Sequence, residues 1–431
     1  MPDTTLSSRS LSRTAVICLT VLLLAFATAC HGYSVLSHQA LIDSLWDTAI
    51  KPLLLQRFPN ATPEELKAAH SYAWGGAVVQ DMGYYPFGSK LFSDLTHYVR
   101  SGDFVIALLR DSRDVNEYAF ALGAMAHYVA DNDGHRMAVN KSVPMLYPKL
   151  REKYGDVIVY DQDPAAHLKT EFGFDVLQVA KGRYAPDDYR DRIGFQVSKD
   201  LLDRAFEETY CLKLDSIFTD YDLALGTYRH AVGSIIPKMT KVAWQTKKDE
   251  IMHDEPGMTR KRFLYHLSRA SYRKEFGRQY QQTTLGERVL AFFIRILPKV
   301  GPLRALSFRM PTPDTEKLFM VSFNDAFKDF QKFSTEVRTG SHPELVNDNF
   351  DTGTVTHPGE YPLADKTYAD LVDRLAKDHF AQVSPELRAD ILAFFSDANA
   401  PLAIKKDKKQ WARIAREVDD LKSASVAENA P

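Results

Sequence analysis

The chain has 431 residues, of which 45% are hydrophobic and 26% are charged. This balance is typical of a globular protein with two domains or one enlarged domain, and it argues against intrinsic disorder. The formal net charge of -2 excludes a global basic field that would favour nucleic acid or an anionic membrane. Any such preference must therefore be local.

The N-terminus predicts an export signal. Arg9 and Arg13 precede an apolar stretch at 15–27, and small residues follow it. Because a membrane span needs roughly 20 apolar residues, this stretch is short for one. We therefore expect residues 1–32 to be a cleaved signal peptide and the mature protein to be periplasmic or secreted. An uncleaved N-terminal anchor is the alternative.

The cysteine content gives no disulfide framework. Cys18 and Cys30 lie in or at the edge of the signal, which leaves Cys211 in the mature chain. Cys30 follows Ala-Thr-Ala, an arrangement that resembles a loose lipoprotein processing box. Ordinary signal peptidase, which needs only small residues nearby, is favoured slightly, but a lipidated Cys30 would tether the protein to a membrane.

Helix signals dominate the rest of the chain. Asp114 and Glu117 form a capping-box-like pair ahead of an apolar run that begins at Tyr118. Four apolar residues at the spacing i, i+3, i+4 and i+7 predict an amphipathic helix further on: Tyr368, Leu371, Val372 and Leu375. We therefore predict a mostly α fold.

Strand signals are scarce by comparison. The segment DVIVY at 156–160 is the only plausible short strand, because it is as long as a short strand and is rich in β-branched residues. The stretch at 347–365 is rich in Gly, Pro, Asn and Asp and predicts a long loop between helices.

The segment at 287–311 is basic, aromatic and amphipathic. It has no acidic residue after Glu287, and its apolar side chains alternate with arginines such as Arg295, Arg304 and Arg309. Such an element can lie on an anionic membrane surface. The other interpretation, which we prefer, is a helical hairpin with an apolar core face and solvated arginines.

Polar side chains stand out at the end of the apolar run at 118–130. His127, Asp131 and His135 are four residues apart, so they project from one stripe of a helix. Burying an ionised aspartate there is costly unless a positive charge faces it, and converging nitrogen and oxygen donors suit zinc. Alternatively, Gly134 ends the helix and turns His135 towards a different ion.

Further candidate ligands lie in the same half of the chain. His167 and Glu171 are spaced i, i+4 and can grip a metal from one helical face. Asp81, His97 and His38 lie upstream. The clustering of these residue types before residue 211 predicts a metal site.

The order of these residues resembles a known family, the zinc-dependent phospholipase C group. The match lies in H-x-x-x-D-x-x-x-H followed by H-x-x-x-E, preceded by His, Asp and His. The family's fold also serves single-strand-specific zinc nucleases and the catalytic domain of glycosylphosphatidylinositol-specific phospholipase D. The resemblance implies a phospholipase C/D-like catalytic domain at 33–210 and leaves 211–431 as a helical accessory region.

The resemblance also implies a site for up to three zinc ions. The implied ligands of the first ion are Asp81, His97, His127 and a bridging Asp131. Those of the second ion are His135, His167 and Glu171. Those of the third ion are His38, Asp131, and the backbone amine and carbonyl of the mature N-terminal residue, Tyr33.

Two features depart from the family pattern. Tyr33 lies five residues before His38, where the nuclease branch has its N-terminal aromatic, but the usual residue there is Trp. An acylated Cys30 would also prevent a free amine at Tyr33. The spacing from Asp131 to His135 is two residues shorter than in the bacterial phospholipases and nucleases and is closer to the phospholipase D relative. The sequence therefore leaves open which phosphoester bond is cut.

The resulting hypothesis is an exported zinc-dependent phosphodiesterase, phospholipase C-like, that hydrolyses a phospholipid headgroup ester with a zinc-bound hydroxide. Asp81 is the candidate general base as well as a ligand. The first alternative is a single-strand nuclease, which the absence of a basic charge disfavours. The second is a non-catalytic binding protein that keeps zinc for stability.

Overall fold

The structure is a computed structural model. It describes residues 34–243 and 307–424, with short gaps at 182, 186–189, 191–192, 238, 241–242 and 341–342. The predicted signal peptide 1–32, Tyr33 and the part of the basic aromatic segment at 287–306 lie outside the described residues. Within the described residues, no helix combines the length and apolar character needed to cross a membrane.

Helices make up most of the described residues before 244. They are α1 Val35–Leu45, α2 Lys51–Arg57, α3 Pro63–Gly76, α4 Lys90–Tyr98, α5 Ser101–Asp111, α6 Val115–Asp133, α7 Asn140–Leu146, α8 Pro148–Tyr154, α9 Pro164–Ala180, α10 Lys199–Tyr210, α11 Leu214–Ile217 and α12 Tyr221–His230. Short π-helical turns occupy Trp46–Ile50, Gly134–Val139 and Ala231–Ile235, and 3₁₀ turns occupy Val79–Tyr84 and Tyr160–Gln162.

The described residues after 306 are also mainly helical. Their helices are α13 Pro313–Arg338, α14 Pro362–Ala376, α15 Pro385–Phe394 and α16 Lys408–Ser423, with a 3₁₀ turn at Ala403–Lys406. Between α13 and α14, β1 Asp348–Asn349 pairs antiparallel with β2 Thr354–Val355. The predicted mostly α fold is confirmed.

Helix α6 runs through the centre of the protein. Every residue from Glu117 to Asp133 is buried, as the apolar sequence predicts. Its backbone approaches α3 closely, because a Cβ added at Gly123 would lie 2.2 Å from the Ala73 carbonyl oxygen. Glycine at this crossing therefore places α6, with its histidine and aspartate side chains, directly against α3.

The N-terminal cap of α6 matches half of the predicted capping box. Asp114 accepts hydrogen bonds from the backbone N–H groups of Asn116 and Glu117, so the helix begins at Val115. The Glu117 carboxylate, however, accepts from the backbone N–H of Arg113. The reciprocal bond to the cap residue is therefore replaced by one to the residue before it.

The strand prediction at 156–160 is wrong. Ile158 donates one backbone hydrogen bond to the Asn140 carbonyl, and the chain then enters the 3₁₀ turn Tyr160–Gln162. A strand needs a neighbouring strand to satisfy its backbone groups, and among the described residues this segment has none. The two short strands, β1 and β2, lie instead within the predicted loop at 347–365.

Residues after 306 pack directly on the first half of the chain. The predicted amphipathic face of α14 is confirmed, since all four of its apolar residues are buried. Phe319 of α13 stacks on Phe174 of α9 at a ring distance of 4.9 Å, and one hydrophobic core runs through both halves. The division into domains at 210 and 211 stays a prediction.

Only the end of the basic aromatic segment, 307–311, is described. Phe308 is buried against Phe172, and the Arg309 guanidinium donates to the Leu146 carbonyl at 2.7 Å while lying over the Tyr147 ring. Arg309 is exposed but already has these contacts within the protein. The membrane-surface role of 287–311 stays a prediction.

Candidate metal centre

Four predicted ligands from three elements meet at a first cluster. Asp81 lies on the 3₁₀ turn Val79–Tyr84, His97 lies near the end of α4, and His127 and Asp131 lie on α6. One donor atom from each lies within 4.8 Å of the others, and all four side chains are fully buried. The His127 Nε2 atom is 3.1 Å from the nearer Asp131 oxygen.

The histidines of the first cluster are oriented by backbone carbonyls. His97 Nδ1 lies 2.7 Å from the Ser93 carbonyl oxygen, and His127 Nδ1 lies 3.0 Å from the Ala77 carbonyl oxygen. Because a carbonyl oxygen only accepts, both Nδ1 atoms donate to these carbonyls and both Nε2 atoms face the cluster. This pairing is typical of histidines that bind metal.

His38 lies beside the first cluster. Its Nε2 atom is 3.3 Å from an oxygen of Asp131, and its ring stacks on that of His127 at 4.5 Å. Asp131 therefore has one oxygen facing His38 and the other facing His97 and His127. This two-sided position is the one expected of a carboxylate that bridges two ions.

The start of α1 is held firmly next to His38. Asp175 of α9 is fully buried and accepts from the backbone N–H of Leu36 at 3.0 Å and from the Ser37 hydroxyl at 2.8 Å. These bonds fix the chain within three residues of the predicted terminal ligand, Tyr33. Tyr33 itself is outside the described residues, so its role stays a prediction.

A second cluster contains His135, His167 and Glu171. One donor atom from each lies within 4.8 Å of the others, and the three side chains are buried. His167 Nε2 donates to the Ile158 carbonyl oxygen at 2.6 Å, which leaves Nδ1 facing the Glu171 carboxylate at 3.8 Å. The loop that was predicted as a strand therefore orients a candidate ligand.

The backbone change at Gly134 separates His135 from the first cluster. Helix α6 ends at Asp133, and Gly134–Val139 continues as a π-helical turn, which has a wider turn than an α-helix. The single stripe of His127, Asp131 and His135 is thus interrupted at its last member. Of the two arrangements that the sequence allows, the structure has His135 in a separate group.

The protonation of the second cluster suits a metal ion. Burial lowers the pKa of His135 to about 4 and that of His167 to about 3, so both imidazoles are neutral at pH 7. Burial raises the pKa of Glu171 well above its usual range, and the charges of Asp131 and Asp81 raise it further. Neutral imidazole is the form that binds metal, and a cation would relieve the crowded carboxylates.

The first cluster also requires positive charge. Burial disfavours a charged His97, yet interactions with Asp131 and Asp81 outweigh it and raise the pKa of His97 to about 10. Both oxygens of Asp81 are buried without a hydrogen-bond partner among the described residues, as are both oxygens of Glu171. Buried carboxylate oxygens without hydrogen-bond partners, next to imidazole nitrogens, fit zinc, which binds such oxygen and nitrogen atoms at about 2.0–2.2 Å.

One residue at this site has no signal in the sequence. Asp351, in the turn between β1 and β2, is fully buried, and its Oδ1 atom lies 3.5 Å from His135 Nε2. The adjacent Phe350 packs its ring 5.1 Å from that of His97. No local spacing links position 351 to the other ligands, and its loop was predicted only as a connection.

Two further buried titratable groups, His70 and Asp94, lie outside both clusters. His70 pairs with Asp43 at 2.9 Å and stacks on Trp46 at 3.9 Å. Asp94 accepts from the Lys90 ammonium at 2.5 Å and from the Tyr84 hydroxyl at 3.3 Å. Since both already have partners, they serve as matched controls for the cluster residues.

Comparison with known proteins agrees with this geometry. Residues 37–219 match the model of a family described as zinc dependent phospholipase C. The matched residues include every described candidate ligand from His38 to Glu171 and exclude Asp351. Curated proteins and solved structures gave no match.

Proposed function

Because residues 37–219 match the model of the zinc-dependent phospholipase C family, we propose that the protein is an exported zinc-dependent phosphodiesterase that hydrolyses phospholipid headgroup esters. The observation that carries the proposal is the pair of buried clusters, whose seven side chains leave carboxylate oxygens and imidazole nitrogens directed at each other. A hydrolase that relied on a serine or cysteine nucleophile would need one base and one orienting group beside it, and not two groups of converging donors.

The proposed chemistry divides between the metal and the protein. Zinc, when bound, polarises phosphoryl oxygens and lowers the pKa of water towards 7. Asp131, which faces His38 with one oxygen and His97 and His127 with the other, would hold ions on both sides. Asp81 would be a metal ligand and is the candidate acceptor of the proton lost by the attacking water. Hydrogen bonds from His97, His127 and His167 to backbone carbonyls keep these rings in place.

Phospholipase C-type cleavage is the proposed reaction. Incubation of the zinc-loaded protein with phosphatidylcholine in mixed micelles should give diacylglycerol and phosphocholine, identified by mass spectrometry. Phosphatidic acid and free choline would instead assign D-type cleavage, in line with the short spacing between Asp131 and His135. Each product pair identifies one bond, so the assay decides between them.

A matched pair of variants links activity to the site. His167→Asn removes a donor of the second cluster, and His70→Asn removes a buried histidine that pairs with Asp43 outside both clusters. We expect kcat/KM to fall at least about 100-fold in the first variant, a loss typical of disturbed metal ligation, and to change little in the second. Equal losses would contradict the assignment of the site.

The alternatives correspond to other outcomes of the same assays. Cleavage of single-stranded nucleic acid with a steep salt dependence, and no lipid turnover, would favour the nuclease. Zinc binding with no turnover of either substrate would favour a non-catalytic protein stabilised by its metal.

Export is tested on protein from its native host. Native mass spectrometry gives the mature N-terminus and the number of zinc ions in one measurement. Three ions with Tyr33 at the terminus would support cleavage after Gly32 and the complete trinuclear site. An acylated Cys30 with fewer ions would contradict the N-terminal-ligand model and favour a membrane-tethered form.

A further inference from the structure

Asp351 comes from a part of the chain that the family match does not include. It lies beyond residue 219, in the turn between β1 and β2, and its side chain is fully buried next to the second cluster. A buried carboxylate is costly unless its charge and both its oxygens are compensated.

The two oxygens of Asp351 have different surroundings. Oδ2 accepts hydrogen bonds from the hydroxyls of Tyr98, at 2.7 Å, and Tyr361. Oδ1 has no hydrogen-bond partner among the described residues and lies 3.5 Å from His135 Nε2. Both ring nitrogens of His135 are likewise without a hydrogen-bond partner in the described structure. The Oδ2 atom is thus held by two tyrosine hydroxyls. The Oδ1 atom faces His135 Nε2, and neither of these two atoms has a hydrogen-bond partner among the described residues.

The separation of these two atoms matches the other pairs of the centre. Imidazole nitrogen and carboxylate oxygen lie 3.1 Å apart for His127 and Asp131 and 3.8 Å apart for His167 and Glu171. Two donors bound tetrahedrally to zinc at about 2.0–2.1 Å lie roughly 3.3–3.4 Å apart. The 3.5 Å between His135 Nε2 and Asp351 Oδ1 is close to this separation. Asp351 is not among the donors that lie within 4.8 Å of one another, so its carboxylate has to move towards His167 and Glu171 when an ion binds.

The backbone around Asp351 is held by the residues that build the centre. Phe350 donates its N–H to the His97 carbonyl at 3.2 Å, and the Asn140 side chain donates to the Asp351 carbonyl at 2.8 Å. Gly353 has φ +64°, and a Cβ there would lie 2.5 Å from the Asn132 carbonyl oxygen at the end of α6. These contacts fix the backbone of the turn against α4 and α6, so only the side chains need to adjust when an ion binds.

We propose that Asp351 is a further ligand of the ion held by His135, His167 and Glu171, bound through Oδ1. Two neutral imidazoles and two carboxylates then balance the charge of one zinc ion and supply four donors, which fill a tetrahedral shell. The region after residue 219 is thereby part of the metal centre as well as a packing partner.

The inference rests on the proposed zinc centre, and it is tested without substrate. The direct test is a crystal structure of the full chain loaded with zinc, with the ions located by anomalous scattering. We expect Asp351 Oδ1 at about 2.0–2.2 Å from the ion next to His135. A distance above roughly 3 Å would overturn the proposal, whatever the enzymatic activity.

Solution variants give an independent readout. Asp351→Asn keeps the size of the side chain but removes its charge. Asp348→Asn makes the same change in the neighbouring strand β1, where Asp348 accepts from the Tyr128 hydroxyl. Zinc competition with a chromophoric chelator should show one ion bound at least about tenfold more weakly in the first variant and unchanged affinity in the second. Equal affinities in both would overturn the proposal.

Failure of the inference and failure of the proposed function give different results. If phospholipids are hydrolysed but Asp351 is not bound to zinc, only the inference is lost. If Asp351 is bound to zinc but no phosphodiester is cleaved, the ligand assignment stands and the reaction is wrong. Should Asp351→Asn not fold, the crystal structure of the unaltered protein still decides the question.

Discussion

Removal of zinc should destabilise this protein strongly. Without a metal, the four oxygens of Asp81 and Glu171 are buried with no hydrogen-bond partner in the described structure. Each such buried group costs about 1–3 kcal/mol, which gives roughly 4–12 kcal/mol in total. Protonation offsets part of this cost, because the pKa values of His97 and Glu171 are raised. We therefore expect a net loss of about 5 kcal/mol in the free energy of unfolding, against a typical total of about 5–15 kcal/mol.

Calorimetry of zinc-loaded and chelator-treated protein measures this loss. At about 1 °C per kcal/mol for a chain of this length, a loss of this size lowers Tm by about 5 °C. The zinc content is measured on the same samples, and readdition of zinc, but not of magnesium, should restore Tm. A zinc-free preparation that melts within about 2 °C of the loaded protein would refute the reasoning, since the buried carboxylates would then need no cation.

Two further predictions concern parts of the fold outside the clusters. Gly123→Ala should lower the free energy of unfolding by about 3 kcal/mol or more, because its Cβ would meet the Ala73 carbonyl. Gly226→Ala in α12 has open space around it and should raise the free energy of unfolding by about 0.5–1 kcal/mol. Similar Tm values for the two variants would contradict the close helix crossing. Burial raises the pKa of Asp390 to about 6, so the folded state binds its proton more tightly than the unfolded state, and this residue's contribution to stability falls as pH rises from 4 to 6. Asp390→Asn should therefore gain about 1–2 kcal/mol relative to the unaltered protein between pH 4 and pH 7, measured by denaturant unfolding at both pH values. Loss of zinc at low pH destabilises both proteins, so it cancels when their free energies of unfolding are subtracted. A difference between the two proteins that does not change with pH would rule out the raised pKa.

Local features of the sequence determined most of the helices and part of the site. The buried helix α6 follows from its apolar run, and the i, i+4 spacing predicted that His127 and Asp131 face one way, as do His167 and Glu171. These relations depend only on the geometry of one helix, which neighbouring residues in the chain establish. Asp81 and His97 were candidates only because such residues cluster in this half of the chain, and the resemblance to a family assigned them to an ion, because no spacing rule joins them to α6.

Tertiary structure decided how these pieces combine. The π-helical turn at Gly134 directs His135 away from its helical stripe. The Ile158 carbonyl, in the segment wrongly predicted as a strand, orients His167 through a hydrogen bond. Asp351 reaches the same cluster from a loop that precedes α14, and nothing in its neighbouring sequence marks it as buried. Contacts between residues far apart in the chain arise from packing and from the need to satisfy buried polar groups, and these are properties of the folded protein alone.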